Sequence, residues 1–188
     1  MPDLIDQLRD MGAAIPKWLE FLKTEEATKN SLVMPFIIAL GYNVSDPLEV
    51  VPEFCADFGQ ATDDKVDYAV CQHGKPLMLW ECKWAGRPLK KKDEDQLRKY
   101  FAACPDVRVG ILTNGLNYLF FTDLEKSHVM DEKPFLEFDM QNIKEPLVQA
   151  LKGFTKAGFR PEELTGIAEE LKYMTDIRRL VSKEFKDP

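Results

Sequence analysis

The stretch from residue 64 to residue 84, DKVDYAVCQHGKPLMLWECKW, constrains the fold more than any other part of the chain. Two apolar runs rich in β-forming residues flank the turn-forming cluster His73-Gly74-Lys75-Pro76, which predicts an antiparallel hairpin. The run Leu77-Met78-Leu79-Trp80 is apolar throughout, which indicates a buried strand. A buried hairpin is therefore expected at the centre of the fold.

Three charged residues, Asp67, Glu81 and Lys83, interrupt this apolar hairpin. Side chains alternate between the two faces of a strand, so Glu81 and Lys83 share one face and Cys82 points to the other. If the hairpin is symmetric about Gly74, Asp67 lies directly opposite Glu81, with Cβ atoms about 4.5–5.5 Å apart.

Two carboxylates at this separation repel each other unless a cation lies between them. Magnesium takes oxygen ligands at about 2.0–2.1 Å, so Asp67 and Glu81 are candidate metal ligands. Lys83 would then stand beside the ion, where it could hold an attacking water or neutralise a phosphate. The alternative is a strand pair with one solvated face and an ordinary Glu-x-Lys pair. The apolar context favours the site, because buried charges are costly unless they are partnered or used.

The composition is that of a soluble globular protein, with 188 residues of which 45% are hydrophobic and 30% charged. One domain with a sizeable core is the default for this length. No apolar run approaches the ~20 residues that span a bilayer, and the first residues lack the features of a signal peptide. A cytoplasmic location without a membrane partner is therefore expected. Four cysteines without Cys-x-x-Cys spacing and two histidines offer little material for zinc, redox or Cys–His chemistry.

The net charge of −7 argues against a wholly basic nucleic-acid-binding surface, but a local basic stretch follows the hairpin. It contains Lys83, Arg87, Lys90, Lys91, Lys92, Arg98 and Lys99, interrupted by three acids. Such a stretch beside a metal site would suit a phosphate backbone. The alternative is a solvated loop.

The order of predicted elements is helices, three strands, a helix, two strands with a possible third, and then helices. This predicts an α/β protein with a mixed sheet covered by helices. Residues 3–12 predict a short helix that ends near Gly12, and Pro16 opens a second helix. Pro35 indicates a kink or a boundary within the next apolar run. Pro52 indicates that the first strand, residues 48–54, lies at an edge or carries a bulge.

Residues 91–103 predict the helix that connects the hairpin to the strand at residues 107–113. Gln96 and Tyr100 share a face of it, either as part of a site or as a surface residue and a packing residue. Helices are also predicted at 145–154 and 161–184. The last helix has a heptad-like stripe formed by Leu164, Ile167, Leu171, Met174, Ile177, Leu180 and Val181. The stripe predicts docking on the chain's own core or, as the alternative, contact with a partner helix in a possible homodimer. Residues 1–140 would then form the main domain, and residues 141–188 a C-terminal helical extension.

Six short stretches, taken together and in this order, resemble the PD-(D/E)XK nuclease superfamily. Within it, the chain most resembles the N-terminal nuclease domain of type I restriction-enzyme R subunits and its stand-alone relatives. The matching stretches are Glu25-Glu26-Ala27-Thr28, Pro35-Phe36-Ile37 with Leu40-Gly41-Tyr42, Val66-Asp67-Tyr68-Ala69, Trp80-Glu81-Cys82-Lys83, Gln96-Leu97-Arg98-Lys99-Tyr100 and Ile111-Leu112-Thr113-Asn114-Gly115. Two departures stand out: Val66 replaces the proline of the superfamily's name, and the chain has no phosphate-binding Gly-x-x-x-x-Gly-Lys-Ser/Thr loop. No ATP-binding motor is therefore expected.

The resemblance implies a restriction-endonuclease-like fold and a role for each matching residue. Asp67 and Glu81 would bind Mg²⁺, for which Mn²⁺ substitutes, with the Cys82 carbonyl as a possible third ligand. Lys83 would position or activate the water. The remaining implied residues are Gln96, which orients the site with support from Tyr100, and an acid of the first helix, Glu25 rather than its neighbour Glu26. DNA would be the partner, contacted through Arg87, Lys90, Lys91, Lys92 and Tyr100.

Two functions are consistent with these residues. The first is a metal-dependent nuclease that hydrolyses DNA phosphodiester bonds in a restriction or phage-defence system. The second is a catalytically silent nuclease-fold module that binds DNA or a partner protein. The intact set of Asp67, Glu81, Lys83 and Gln96 favours the first function, and the acidic net charge and the C-terminal stripe favour the second.

Overall fold

The computed structural model describes residues 3–55 and 65–184, except the side chains of residue 176 and residues 178–184. The helices are α1 (Leu4–Trp18), α2 (Glu25–Thr28), a π-helical turn (Lys29–Val33), α3 (Met34–Ala39), α4 (Lys91–Ala103), α5 (Glu145–Lys152) and α6 (Leu164–Glu184). The strands are β1 (Val50–Cys55), β2 (Lys65–Gln72), β3 (Lys75–Cys82), β4 (Val109–Thr113), β5 (Asn117–Phe121) and β6 (Leu136–Asp139).

Within the described residues, the strands form one six-stranded sheet in the order β1-β2-β3-β4-β5-β6. Strands β3 and β4 are parallel, and every other neighbouring pair is antiparallel. The parallel pair requires a crossover, which α4 provides. The predicted mixed α/β fold is therefore confirmed, and β1 lies at an edge of the sheet, as Pro52 indicated.

The β2–β3 hairpin has the register that its sequence predicts near the site. Tyr68 pairs with Trp80, so the next step along both strands brings Asp67 beside Glu81. The turn residues His73 and Gly74 both have positive φ, at 51° and 76°, as a tight hairpin turn requires. The register shifts only near the turn, between Val70 and Cys71.

Helices cover both faces of the sheet, and each face has its own apolar core. One core contains Trp80 and Tyr118 of the sheet and residues of α1, α3, α5 and α6. The other contains Leu79 of β3 and the buried face of α4, including Leu97 and Phe101. Glu81 alternates with Trp80 and shares the face of Leu79, so the hairpin presents its buried acid toward α4.

The N-terminal helix is longer than the sequence predicts, because α1 continues through both Gly12 and Pro16. A Cβ atom at position 12 would lie 2.7 Å from the backbone oxygen of Met140. Gly12 therefore allows a close approach between α1 and the end of β6, and it does not end the helix. Pro16 lies in the last turn, where its missing N–H removes only one helical hydrogen bond.

The segment from α2 to α3 is continuous but irregular, as Pro35 indicated. The Thr24 hydroxyl caps its start by accepting a hydrogen bond from the Ala27 N–H at 3.1 Å. The π-helical turn ends at Val33, two residues before Pro35, and the Met34 N–H donates to the Lys29 carbonyl five residues earlier. This turn carries Lys29, whose side chain reaches the sheet.

The C-terminal helices pack on the same core as α1 and α3. Val148, Leu151 and Phe154 are fully buried there, and Leu164 and Ala168 extend the contact into α6. The first half of the predicted stripe thus docks on the chain's own core, whereas Met174 and Ile177 are exposed. Leu180 and Val181 lie outside the described side chains. None of the helices in the described part of the chain has the length and apolar content that crossing a membrane requires.

Candidate active site

Glu81 and Lys83 lie together at the end of β3, where the backbone is held against β4. The Lys83 N–H donates to the Thr113 carbonyl at 2.7 Å, which extends the parallel pairing by one residue beyond the strand. Glu81 is only 2% exposed, and Lys83 is buried as well. Two charged side chains are thus held on a fixed backbone at the edge of the core.

Their side chains form a short chain of polar contacts toward α4. Lys83 Nζ donates to Glu81 Oε1. It also lies 3.5 Å from Gln96 Oε1, at the outer limit of a hydrogen bond. The second carboxylate oxygen, Glu81 Oε2, is buried and has no hydrogen-bond partner among the described residues. A buried polar atom of this kind is rare in folded proteins, where such atoms are usually paired with protein groups, water or ions.

The protonation of this pair reflects its burial. Burial raises the pKa of the Glu81 carboxyl to about 7, although the hydrogen bond from Lys83 and its charge oppose the shift. Burial lowers the pKa of the Lys83 ammonium, but the hydrogen bond to Glu81 and its charge outweigh burial and raise that pKa above its usual value. A buried carboxyl whose pKa is raised toward neutrality is a recurring feature of functional sites.

Asp67 reaches the same place from β2. Its Oδ2 accepts a hydrogen bond from the Cys82 N–H at 2.7 Å, and its Oδ1 lies 3.0 Å from Lys29 Nζ. The Asp67 carboxylate therefore lies against the backbone at the end of β3, at Cys82, the residue between Glu81 and Lys83. The Cys82 thiol is fully buried on the opposite face, and burial raises its pKa well above the usual value.

The two neighbouring acids of α2 differ in their surroundings. Glu25 is half-buried, and burial raises its pKa while the charge of Lys83 lowers it and the charge of Asp67 raises it. Its carboxylate thus lies within the electrostatic field of the site. Glu26 has a side chain that is 72% exposed and pairs with Lys29. Glu25 thus interacts electrostatically with Lys83 and Asp67, whereas Glu26 is linked to Asp67 through Lys29. The choice of Glu25 as the acid of the site stays a prediction.

The residues present fit a divalent ion that keeps much of its water. No three His, Cys, Asp or Glu side chains form a ready-made metal cluster in the described part of the chain. Magnesium, however, is usually held by only one or two carboxylates together with water. Asp67 and Glu81 meet that requirement, and the buried Oε2 of Glu81 is an available ligand atom. The Cys82 carbonyl stays a predicted third ligand.

The residues predicted to contact DNA fall into two groups. Lys90, Lys91 and Lys92 are exposed at the start of α4, where Lys91 also pairs with Glu94. Arg87 instead donates two hydrogen bonds of 2.9 Å to Asp93. The Arg87 guanidinium is therefore already paired with a carboxylate of the chain. Tyr100 is 3% exposed within the core beneath α4, so it supports the helix and leaves almost no surface for DNA to contact.

One charged residue of the site was missed in the sequence. Lys29 is 9% exposed and contacts both Asp67 and Glu26. Burial lowers its pKa, but the hydrogen bonds to Glu26 and Asp67 outweigh burial and raise that pKa, so the side chain is a cation. The available signal, a spacing of three from Glu26, predicts only a surface ion pair.

The fold and the site together define a nuclease-like α/β domain with Asp, Glu, Lys and Gln side chains grouped at the end of β3. The family model described as "Type I restriction enzyme R protein N terminus (HSDR_N)" matches residues 24–134, more than half of the chain. The chain belongs to this family, and the suspected resemblance is confirmed. The match begins one residue before Glu25 and includes β1 to β5 with α4. No curated protein and no solved structure matches the chain significantly.

Proposed function

We propose that this domain is a metal-dependent nuclease that hydrolyses DNA phosphodiester bonds within a restriction or phage-defence system, with Mg²⁺ as the cofactor. The observation that carries the proposal is the buried Glu81 Oε2, which has no partner among the described residues, on a carboxylate already paired with Lys83. A purely structural ion pair would be expected to satisfy both oxygens.

Asp67 and Glu81 would hold the ion, which when bound supplies Lewis acidity to the phosphoryl group and activates water. The Lys83 ammonium would orient that water or stabilise the negative charge that develops on the phosphate. Gln96 accepts from Lys83 and would limit the positions that the ammonium can take. Positioned donors of this kind act most strongly where water is excluded, as beside the buried Glu81.

Family membership and the exposed lysines of α4 support DNA as the substrate. Lys90, Lys91 and Lys92 lie one to two turns before Gln96 on the same helix. Phosphate contacts by lysine are independent of sequence and weaken as salt rises. They would hold a strand near the site without selecting a base sequence.

The test is incubation of the protein with supercoiled plasmid, linear duplex and single strands, in magnesium or manganese. We expect cleavage by the parent, and loss of cleavage in Glu81→Ala and Lys83→Ala variants that retain the parent's circular dichroism. Lys75→Ala is the matched control, because Lys75 forms an exposed ion pair with Asp106 at the opposite end of β3. A well-folded Lys83→Ala variant that cuts as fast as the parent would contradict the proposed mechanism.

A second candidate is a non-cleaving module that binds DNA or a partner protein. The observation in its favour is that no ready-made cluster of three metal-binding side chains exists among the described residues. Calorimetric titration with manganese separates the two functions. Absence of binding at millimolar manganese, together with intact plasmid, would favour the module.

A further inference from the structure

A second buried lysine contacts the other predicted metal ligand. Lys29 Nζ lies 3.0 Å from Asp67 Oδ1 and also pairs with Glu26. Its position is fixed by the fold, because it lies in the π-helical turn next to the fully buried Thr28. The Thr28 hydroxyl accepts a hydrogen bond from the Ala85 N–H at 3.0 Å, which ties this turn to the residues that follow Lys83.

The two predicted metal ligands, Asp67 and Glu81, differ in how many of their carboxylate oxygens accept hydrogen bonds. Both oxygens of Asp67 accept hydrogen bonds, one from Lys29 and one from the Cys82 N–H. Glu81 Oε1 accepts from Lys83, whereas Glu81 Oε2 has no partner in the described part of the chain. The carboxylate oxygen without a donor therefore belongs to Glu81, whereas Asp67 is already bonded to one cation, the Lys29 ammonium.

We propose that the Lys29 ammonium takes the position of a second cation, so that the site binds one divalent ion and not a pair. This inference rests on the proposed metal-dependent function. Two-metal sites hold their ions about 3.5–4 Å apart and share carboxylates between them. A second ion bound to Asp67 would lie against the Lys29 ammonium, and like charges at that distance repel strongly in a partly buried site.

The ion pairs of the site show the same division. Lys29 pairs with Asp67 and with the exposed Glu26, whereas Lys83 pairs with Glu81. Arg87, the next cation, already pairs with Asp93. Removal of Lys29 would take one positive charge away from Asp67 and leave room for a metal ion there.

The experiment is manganese binding, measured from the electron paramagnetic resonance signal of the free ion and by calorimetry. We expect one ion per chain for the parent at millimolar manganese. Lys29→Met and Lys29→Gln should each bind two ions, because both remove the charge, and Gln keeps a donor that can support folding. Lys29→Arg retains the charge and should bind one ion. The control Lys75→Met, which changes an exposed lysine at the opposite end of β3, should also bind one ion.

Three results would overturn this inference. The first is binding of two ions by the parent. The second is binding of one ion, with unchanged affinity, by both Lys29→Met and Lys29→Gln when they are folded. Either result leaves the proposed nuclease function intact if the parent still cleaves DNA. A parent that binds no manganese and cleaves nothing would overturn both. The count of bound ions therefore distinguishes failure of the Lys29 assignment from failure of the nuclease assignment.

Discussion

Two buried carboxylates flank the beginning of the same crossover, and their surroundings differ. Asp93 is 3% exposed and accepts two hydrogen bonds of 2.9 Å from Arg87 and a third from the Lys90 N–H. Burial raises its pKa, but the Arg87 and Lys90 hydrogen bonds outweigh burial and lower that pKa. Glu81 is 2% exposed, and burial raises its pKa to about 7.

The comparison shows that burial alone does not make an acid functional. Asp93 is fully satisfied by neighbours close in sequence, and it begins α4 as part of a capping box. Glu81 has one oxygen paired with Lys83 and the other without a partner among the described residues. A satisfied buried carboxylate stabilises the fold, whereas an unsatisfied one keeps capacity for a ligand.

The largest expected effect is on the rate of DNA cleavage, which should fall much more when Glu81 is changed than when Asp93 is changed. Glu81→Gln should slow DNA cleavage by on the order of 10³-fold or more, because several kcal/mol of charge stabilisation in the transition state are lost. Asp93→Asn should slow it by less than about tenfold, because Asp93 contacts only Arg87 and the start of α4. Initial rates on plasmid, at a temperature where both variants are folded, measure the difference. Equal losses in the two variants would remove the distinction.

For the free energy of unfolding, the variant of Asp93 should show the larger loss and the variant of Glu81 the smaller one. Asp93→Asn should lower the free energy of unfolding by about 3 kcal/mol, because the Arg87 guanidinium loses its charged partner. Glu81→Gln should cost less, since burial already disfavours the charged form of Glu81 and raises its pKa to about 7. Urea denaturation near neutral pH gives both values. A larger loss for Glu81→Gln than for Asp93→Asn would contradict the comparison.

The pH dependence of stability should distinguish Glu81 further from Asp93. The pKa of Glu81 is about 7 in the folded protein, above its ordinary value of 4.5, so the folded state holds more protons between these values. Stability therefore falls as pH rises through this window, by about 2 kcal/mol between about pH 5 and pH 7. Glu81→Gln should lack this part of the slope. Urea midpoints for the parent and the variant across the window test it, and parallel profiles would show that Glu81 does not titrate there.

The smallest expected effect concerns Gln96. Gln96→Ala should slow cleavage by about tenfold, because an outer residue that orients a site residue typically contributes 10–100-fold. The rate of plasmid cleavage at saturating metal measures this loss. Asp95→Asn, the exposed neighbour on α4, should cut at the parent rate. Should both variants match the parent, Gln96 has no positioning role.

Much of the site could be predicted because its geometry is local. The alternation of side chains along β3 places Glu81 and Lys83 on one face. The turn pairs Gln72 with Lys75, and the register shift between Val70 and Cys71 then brings Asp67 opposite Glu81. The bounds of α4 also follow from the sequence, at residues 91–103 in both prediction and structure. Nuclease chemistry at these residues stays a prediction that the experiments above address.

Other features could not be predicted from local patterns. The reason for a glycine at position 12 lies in Met140, 128 residues away, whose backbone oxygen leaves no room for a Cβ atom there. A glycine within a helical run is otherwise a reasonable stop signal. The pairing of Arg87 with Asp93 depends on how the loop enters α4, since charge composition alone equally predicts a solvated cation.

The sequence by itself determined the hairpin, the shared face of its acid and amine, and the crossover helix, because strand alternation and turn chemistry act over a few residues. Only the tertiary structure decided that Lys29 contacts Asp67 across 38 positions, and that the same lysine pairs with Glu26. The same is true of Glu81 Oε2, which alone among the oxygens of Asp67 and Glu81 has no partner in the described residues. These outcomes depend on how distant elements pack, because the partner of each charge comes from another part of the chain.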